Sequence, residues 1–165
     1  MSKKDPGTFR QILGHYPTGV CAITGTQPDG KAAVMIVGSF TSVSLDPPLV
    51  AFFPDKGSSS WPKVEACESF CVNVLADHQE SLCRILASKD PNKFEGVPHR
   101  LSTRGAPILD GALAWIDCSL HAVHEAGDHY IAIGQVHDLD IHHLGSPLLF
   151  HKGAYGKIQP PLEIK

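Results

Sequence analysis

The stretch Val20-Cys21-Ala22-Ile23-Thr24, Gly25-Thr26-Gln27-Pro28-Asp29-Gly30, Lys31-Ala32-Ala33-Val34-Met35-Ile36-Val37 decides the fold class. Two runs rich in Val, Ile and Thr flank a segment whose Pro, Asp and Gly favour a chain reversal, which is the signature of a β-hairpin. A second hairpin follows the same logic, with Leu113 to Val123 and Tyr130 to Leu139 placed around Glu125-Ala126-Gly127-Asp128. Between them Ser39 to Ser44 and Leu49 to Phe53 read as strands joined through Asp46-Pro47-Pro48, where proline excludes helix and central strand. Phe70 to Leu75 and Leu148 to Phe150 add further strands. Helical signals are few: Thr8 to Leu13 with Thr8 as N-cap and Gly14 as stop, Pro62 to Ala66, and His78 to Ser88 with Asp77 as cap. Many short antiparallel strands with few helices predict a mainly β protein, a closed or nearly closed barrel; no Gly-x-Gly-x-x-Gly follows a strand, which argues against a parallel dinucleotide-binding sheet.

At 165 residues, 42% apolar and 19% charged, the chain suffices for one domain, expected over residues 1–165, and carries a normal core. Its 14 basic and 17 acidic residues are scattered and sum to −3, so no basic stripe offers itself to nucleic acid. The start is polar and no run approaches the ~18 apolar residues of a membrane span, which predicts a cytoplasmic protein. Five cysteines, an odd count without an export signal, are expected reduced and core-filling. Seven of the ten histidines fall in the last third, yet His121 and His124 face opposite sides of one strand and no Glu at fixed spacing completes a ligand set, so no metal site is expected.

Ser39-Phe40-Thr41-Ser42-Val43-Ser44 packs four hydroxyls into six positions just before the prolines, a donor-rich edge with amides free of a sheet partner. Such an edge matches a flavin, whose pyrimidine side carries carbonyl acceptors and an N1 that becomes anionic on reduction. The same hydroxyls also suit a strand end that satisfies its own backbone, and composition leaves both readings open.

Pro17-Thr18-Gly19-Val20, Ser39 through Pro48, Asn73-Val74-Leu75 and Gly127-Asp128-His129 stand in the order and spacing of the flavin reductase-like family, which the chain resembles from about Phe9 to Lys157. The resemblance implies a six-stranded antiparallel split β-barrel of Greek-key type with a few peripheral helices, an FMN or FAD site, a homodimer, and flavin reduction by NADH or NADPH. It implies that Val37, Gly38, Ser39, Phe40, Thr41 and Ser44 touch the ring and ribityl chain. By the same resemblance Ser58, Ser59 and Ser60 hold the flavin phosphate together with Lys56 or Lys63, and Phe94 of the pair Lys93-Phe94 covers the ring. His129, oriented by Asp128, is implied to contact the nicotinamide nucleotide. Hydride then passes from nicotinamide C4 to flavin N5 by alignment, with no catalytic side chain, and reduced flavin leaves for a partner monooxygenase or another acceptor. Two departures stand out: Val34-Met35-Ile36 replaces the family's Gly-Met-Thr, and Trp61-Pro62 replaces a Thr-His after the serines, which leaves FMN against FAD open. An oxidase of the pyridoxamine-phosphate type, which wants a basic pocket for a second phosphate, and a non-enzymatic flavin-binding or flavin-sensing module are the competing readings.

Overall fold

The computed structural model describes residues 5–158. In chain order its elements are α1 (Pro6–Leu13), β1 (Thr18–Gly19), β2 (Cys21–Thr26), β3 (Ala32–Val37), β4 (Thr41–Leu45), β5 (Pro48–Phe52), α2 (Trp61–Glu65), β6 (Ser69–Val74), a 3-10 turn (Asp77–Gln79), α3 (Glu80–Leu86), β7 (His99–Leu101), β8 (Pro107–Leu109), β9 (Ala114–Ala126), β10 (His129–Ile141), β11 (Leu148–His151) and β12 (Ala154–Lys157). Both expected hairpins form, β2 against β3 and β9 against β10. Two caps differ from expectation: Asp5, not Thr8, caps α1 by accepting the Thr8 amide at 3.1 Å, and Asp77 lies inside the 3-10 turn, where the Gln79 side chain accepts the Ala76 amide at 3.0 Å. An Asp one residue before the Pro at N1 has the extended backbone a cap needs, whereas Thr8 is already helical.

The main sheet is seven-stranded and antiparallel, in the order β3-β2-β6-β9-β10-β5-β4, and its end strands do not pair with each other. The mainly β architecture with a few helices is as expected, but the main sheet has seven strands, not the six of the expected split barrel, and it does not close. Laid flat, seven strands at a spacing of ~4.8 Å would set the edges ~29 Å apart. Yet β3 runs into β4 through Gly38-Ser39-Phe40 alone, a link that spans at most ~14 Å from Val37 to Thr41. The sheet has curled until its edges lie close, but both edges keep unpaired backbone groups. Side sheets β1-β11-β12 and β7-β8 flank it.

Alternate residues of β2 and β3 serve two cores, so both strands are buried on both faces and read as continuous apolar runs. Inside the curl Ile23, Met35, Val37, Phe52, Phe70 and Val72 pack with Trp61 and Val64 of α2. Phe52 meets Trp61 and Phe70 edge to face at 5.8 and 5.4 Å. Outside it Val20, Ala22, Val34, Leu75, Leu86, Leu109 and Leu148 form a second cluster. One buried amide fastens β8 to the sheet: Asn73 Oδ1 accepts the Leu109 amide at 2.8 Å, its Nδ2 donates to Thr24 Oγ1 at 3.0 Å, and Thr24 in turn donates to the Pro107 carbonyl. Four of the five cysteines are buried and Cys67 is half-buried, all as free thiols; burial pushes Cys21 and Cys71 up to about 12, which leaves them inert as nucleophiles.

Candidate functional site

The β9–β10 reversal is a two-residue turn, Gly127-Asp128, in which Gly127 adopts φ 64°, a backbone conformation that favours glycine. It delivers His129 to the first ladder position of β10, opposite Ala126. His129 also bridges to Asp55, just past β5, while Lys56 donates its amide to the Asp128 carbonyl at 2.9 Å and Tyr130 donates to that of Pro54 at 2.9 Å. The tip is thus sewn to the segment after β5. His129 Nδ1 lies 2.7 Å from Asp128 Oδ1, and because a carboxylate only accepts, the ring proton sits on Nδ1. Nε2 faces Asp55 Oδ2 at 4.0 Å. The hydrogen bond from His129, with its charge, holds the exposed Asp128 carboxyl below the usual carboxylate range.

Ser39, Phe53, Ala126, His129, Tyr130 and Ile131 line a cavity of about 400 Å³. Ser39 Oγ accepts the Phe53 amide at 2.9 Å, which fixes the link between β3 and β4 against the end of β5. Beside it Gly38 is required for a steric reason: a Cβ there would stand 2.7 Å from Thr18 Oγ1. The Pro17-Thr18-Gly19 motif therefore abuts the serine-rich link, a contact that spacing alone does not reveal. Val37 and Gly38 line a smaller apolar cavity of about 170 Å³ with Val20, Ile36, Phe150 and Tyr155. Ile36, standing where the family carries Thr, belongs to this outer side and not to the His129 cavity.

Along the outer part of β3 a cleft of about 230 Å³ runs between Ala32, Ala33 and Val34 on one side and Ser59, Ser60, Lys63, Lys93 and Phe94 on the other. Lys93 Nζ donates to Ser60 Oγ at 3.3 Å and to the Ser88 carbonyl at 3.2 Å. Burial pushes the Lys93 ammonium below its ordinary pKa, and the charge of Lys63 pushes the same way. Lys63, Lys89 and Lys93 line this cleft with Ser59, Ser60 and Ser88, and the Asp90 carboxylate lies at its margin; the three ammonium groups and the hydroxyls form a donor set that suits a phosphate.

The expected site residues thus fall into groups. Ser39 and His129 share one cavity; Ser59, Ser60 and Phe94 share the lysine cleft; Val37, the last residue of β3, and Gly38 after it line the small apolar cavity. Ser58 is used inside its own loop, its Oγ accepting the Ser60 and Trp61 amides at 3.2 Å each. Lys56 goes to the hairpin and not to the serines: its Nζ lies 3.6 Å from Glu125 and 5.3 Å from the Tyr130 ring centre. Thr41 and Ser44 sit on edge strand β4, where Thr41 Oγ1 donates to the Ser42 carbonyl at 3.3 Å. Phe53 and Tyr130 complete the histidine cavity, and Asp55 stands beside His129 outside its lining; neither contact is hinted at by a local motif in the sequence. Among the described residues no group of three or more His, Cys, Asp or Glu is placed to hold a metal ion.

A curled antiparallel sheet with a histidine cavity past one end of its edge strand β3 and a lysine cleft beside the other places the protein in the class of mainly antiparallel β proteins. The flavin reductase like domain matches residues 13–159. A flavin reductase of Pseudomonas putida is 60% identical over 152 residues, 92% of this chain and 89% of that protein. The reductase subunit of a flavin-dependent monooxygenase of Rhodococcus jostii is 48% identical over 156 residues, 94% and 80% of the two chains. Among solved structures, nitrilotriacetate monooxygenase component B from Mycobacterium thermoresistibile superimposes with a TM-score of 0.91 at 43% identity, covering 96% of this chain and 89% of its own. An NADH:FAD oxidoreductase of Streptomyces globisporus in complex with NAD and FAD fragments gives 0.90 at 32% identity, covering 99% and 98%. The chain belongs to the flavin reductase-like family.

Proposed function

We propose that this protein is an NAD(P)H-dependent flavin reductase acting as one unit over residues 1–165, a cytoplasmic homodimer that supplies reduced FMN or FAD to a partner monooxygenase. The observation that carries the reading is a pair of cavities set off either end of β3, a lysine cleft beside its start and a cavity holding Ser39 and the Asp128-braced His129 past its end. Flavin reductases and reductase subunits of monooxygenases among its relatives support it.

When bound, the flavin supplies an N5 that accepts hydride from nicotinamide C4. The chain's own part is alignment and charge. Val37, Gly38, Ser39, Phe40, Thr41 and Ser44 would hold the ring and ribityl portions of the flavin. Ser59, Ser60, Lys63 and Lys93 hold the phosphate, with Ser58 stiffening their loop and Phe94 closing the cleft. Asp128 keeps the His129 proton on Nδ1, so that Nε2 is presented toward the nicotinamide nucleotide, while Lys56 and Asp55 pin the hairpin that carries it. No helix of the described residues is long and apolar enough to cross a membrane.

The test is direct. Purified protein is mixed with FMN or FAD and with NADH or NADPH while absorbance at the nicotinamide band is followed; consumption is expected with at least one pair, and its absence with all four removes the reductase function.

A further inference from the structure

Asp55 stands opposite the ring nitrogen of His129 that Asp128 does not engage. Its place is set by the backbone: Asp55 and His129 form an antiparallel bridge, flanked by the Tyr130 amide donating to the Pro54 carbonyl and the Lys56 amide donating to that of Asp128, each at 2.9 Å. The carboxylate is fixed as well. Its Oδ1 accepts the Gly57 amide at 2.6 Å, while its Oδ2 lies 4.0 Å from His129 Nε2.

The two carboxylates act on the ring in different ways. Asp128 Oδ1 takes the Nδ1 proton in a hydrogen bond of 2.7 Å. Asp55 Oδ2 is near enough to act through its charge but too far to hydrogen-bond. With the ring neutral and its proton on Nδ1, a lone pair on Nε2 would face a carboxylate oxygen, which repels; in an imidazolium an N–H faces it, which attracts. An Nε2 proton held in this way is favoured by Asp55 yet free to donate to a ligand. The other charges around the turn have partners of their own: Lys56 lies 3.6 Å from Glu125 of β9, and the Arg10 charge, from α1, acts on Asp128. Apart from the Ser39 and Tyr130 hydroxyls, the side chains lining the cavity beside His129 are those of Phe53, Ala126 and Ile131, so among the described residues His129 is the one basic side chain in that lining.

We propose that Asp55 is a positioning residue for binding of the nicotinamide nucleotide: it holds His129 as an imidazolium whose Nε2–H is offered to an acceptor on that nucleotide. The proposal rests on the reading of His129 as the nucleotide contact. It assigns the two acids separate tasks, orientation of the ring to Asp128 and its charge to Asp55.

Asp55→Asn removes the charge and keeps an Oδ1 to accept the Gly57 amide, so the loop retains its turn. Binding of NAD+, which cannot reduce the flavin, to protein saturated with FMN is measured by calorimetry for the wild type, Asp55→Asn, His129→Gln and the double variant. The series is run at pH about 7.5 and again at about 5.5, where an ordinary imidazole is charged without help. At the higher pH, Asp55→Asn is expected to weaken NAD+ about fivefold when His129 is present and less than about twofold in the His129→Gln background. At the lower pH its effect beside His129 should shrink to less than about twofold. An equal loss in both backgrounds, or a loss of the same size at both pH values, makes Asp55 a structural residue of its loop and overturns the proposal. NAD+ binding indifferent to Asp55→Asn overturns it too. A protein that shows the expected pattern yet oxidises neither NADH nor NADPH keeps the Asp55 role and loses the reductase function. One that oxidises NADH but binds NAD+ without regard to Asp55 keeps the reductase function and loses the proposal.

Discussion

Asp128 lies 2.7 Å from His129 Nδ1 and orients the half-exposed ring through one hydrogen bond, while Asp55 stands 4.0 Å from Nε2. For His129→Ala we expect the KM for NADH or NADPH to rise about tenfold while the dissociation constant of flavin moves less than about twofold, because only the nicotinamide contact is lost. Lys93 lines the separate lysine cleft. Lys93→Met is expected to weaken FMN about tenfold and to leave riboflavin, which has no phosphate, unchanged; parallel loss of both ligands would contradict the phosphate contact. Phosphate requires the protonated amine, and burial together with Lys63 lowers the Lys93 pKa. FMN affinity in the wild type should therefore fall as pH rises through that lowered value, before an ordinary lysine would lose its proton, and this alkaline loss should vanish in Lys93→Met. Asp117 concerns stability, not binding. Its carboxylate is fully buried and neither oxygen has a hydrogen-bond partner; burial raises its pKa, with the nearby Ser102, Arg104 and His137 side chains pulling the other way. A carboxyl whose folded pKa lies above its unfolded one costs stability as pH rises from below the unfolded value through the folded one. Asp117→Asn should thus raise stability at pH 7 by about 1–2 kcal/mol, since a neutral amide is cheaper to bury than a charge, and the gain should shrink to nothing as the pH falls toward about 4.

Among the elements, the β9–β10 hairpin has the least tolerance for added volume. A Cβ on Gly134, beside the register shift in β10, would stand 2.5 Å from Phe70 Cζ and 3.2 Å from Cys118 Cβ, both in the closed interior of the curl. Gly134→Ala should cost about 2–3 kcal/mol and lower the unfolding midpoint accordingly, and an unchanged midpoint would mean that Phe70 moves freely. This hairpin and β2–β3 were legible in the sequence because both signals were local, apolar runs of the right length around turn residues. The strands β9 and β10 extend past their apolar pattern, to thirteen residues each, because polar ends such as Asp138 and Asp140 stay paired with Asp117 and Trp115 across the ladder. β7 and β8 were hidden inside a Pro and Gly loop from Pro91 to Pro107. Three residues carry no readable alternation, and what holds β8 is the Asn73 side chain, from 36 residues away. The site divides in the same way. Ser39, Ser59, Ser60 and His129 announce themselves through local motifs, but a lysine's charge does not say where it goes: the turn after Asp55, where the Gly57 amide donates to Asp55 Oδ1 at 2.6 Å, sends Lys56 to Glu125, and the cleft takes Lys63 and Lys93 instead.

For the molecule as a whole, the decisive feature is that the sheet curls without closing, which leaves two edges with different fates. Edge β3 is flanked by Ser59, Ser60 and the segment 88–94, which covers it. Edge β4 has no such cover: its Val43 is 51% exposed and Leu45 95%, and the register slips at Val43, between Ser42 and Ser44. An uncovered edge strand carrying exposed apolar side chains is a template for association, and a natural protein leaves one bare when a partner surface meets it. The proposed homodimer gives β4 that surface. In solution, light scattering coupled to size exclusion should return twice the 17.8 kDa chain mass. Leu45→Lys, which places a charge where the surface is most exposed, should shift the mass toward a single chain without unfolding it, since Leu45 makes little contact within its own chain. Because β4 also carries Thr41 and Ser44 beside the ring end of the groove, the monomeric variant should bind flavin more weakly than the wild type. A wild type of single-chain mass, or a Leu45→Lys protein that remains double in mass, would remove β4 from the interface.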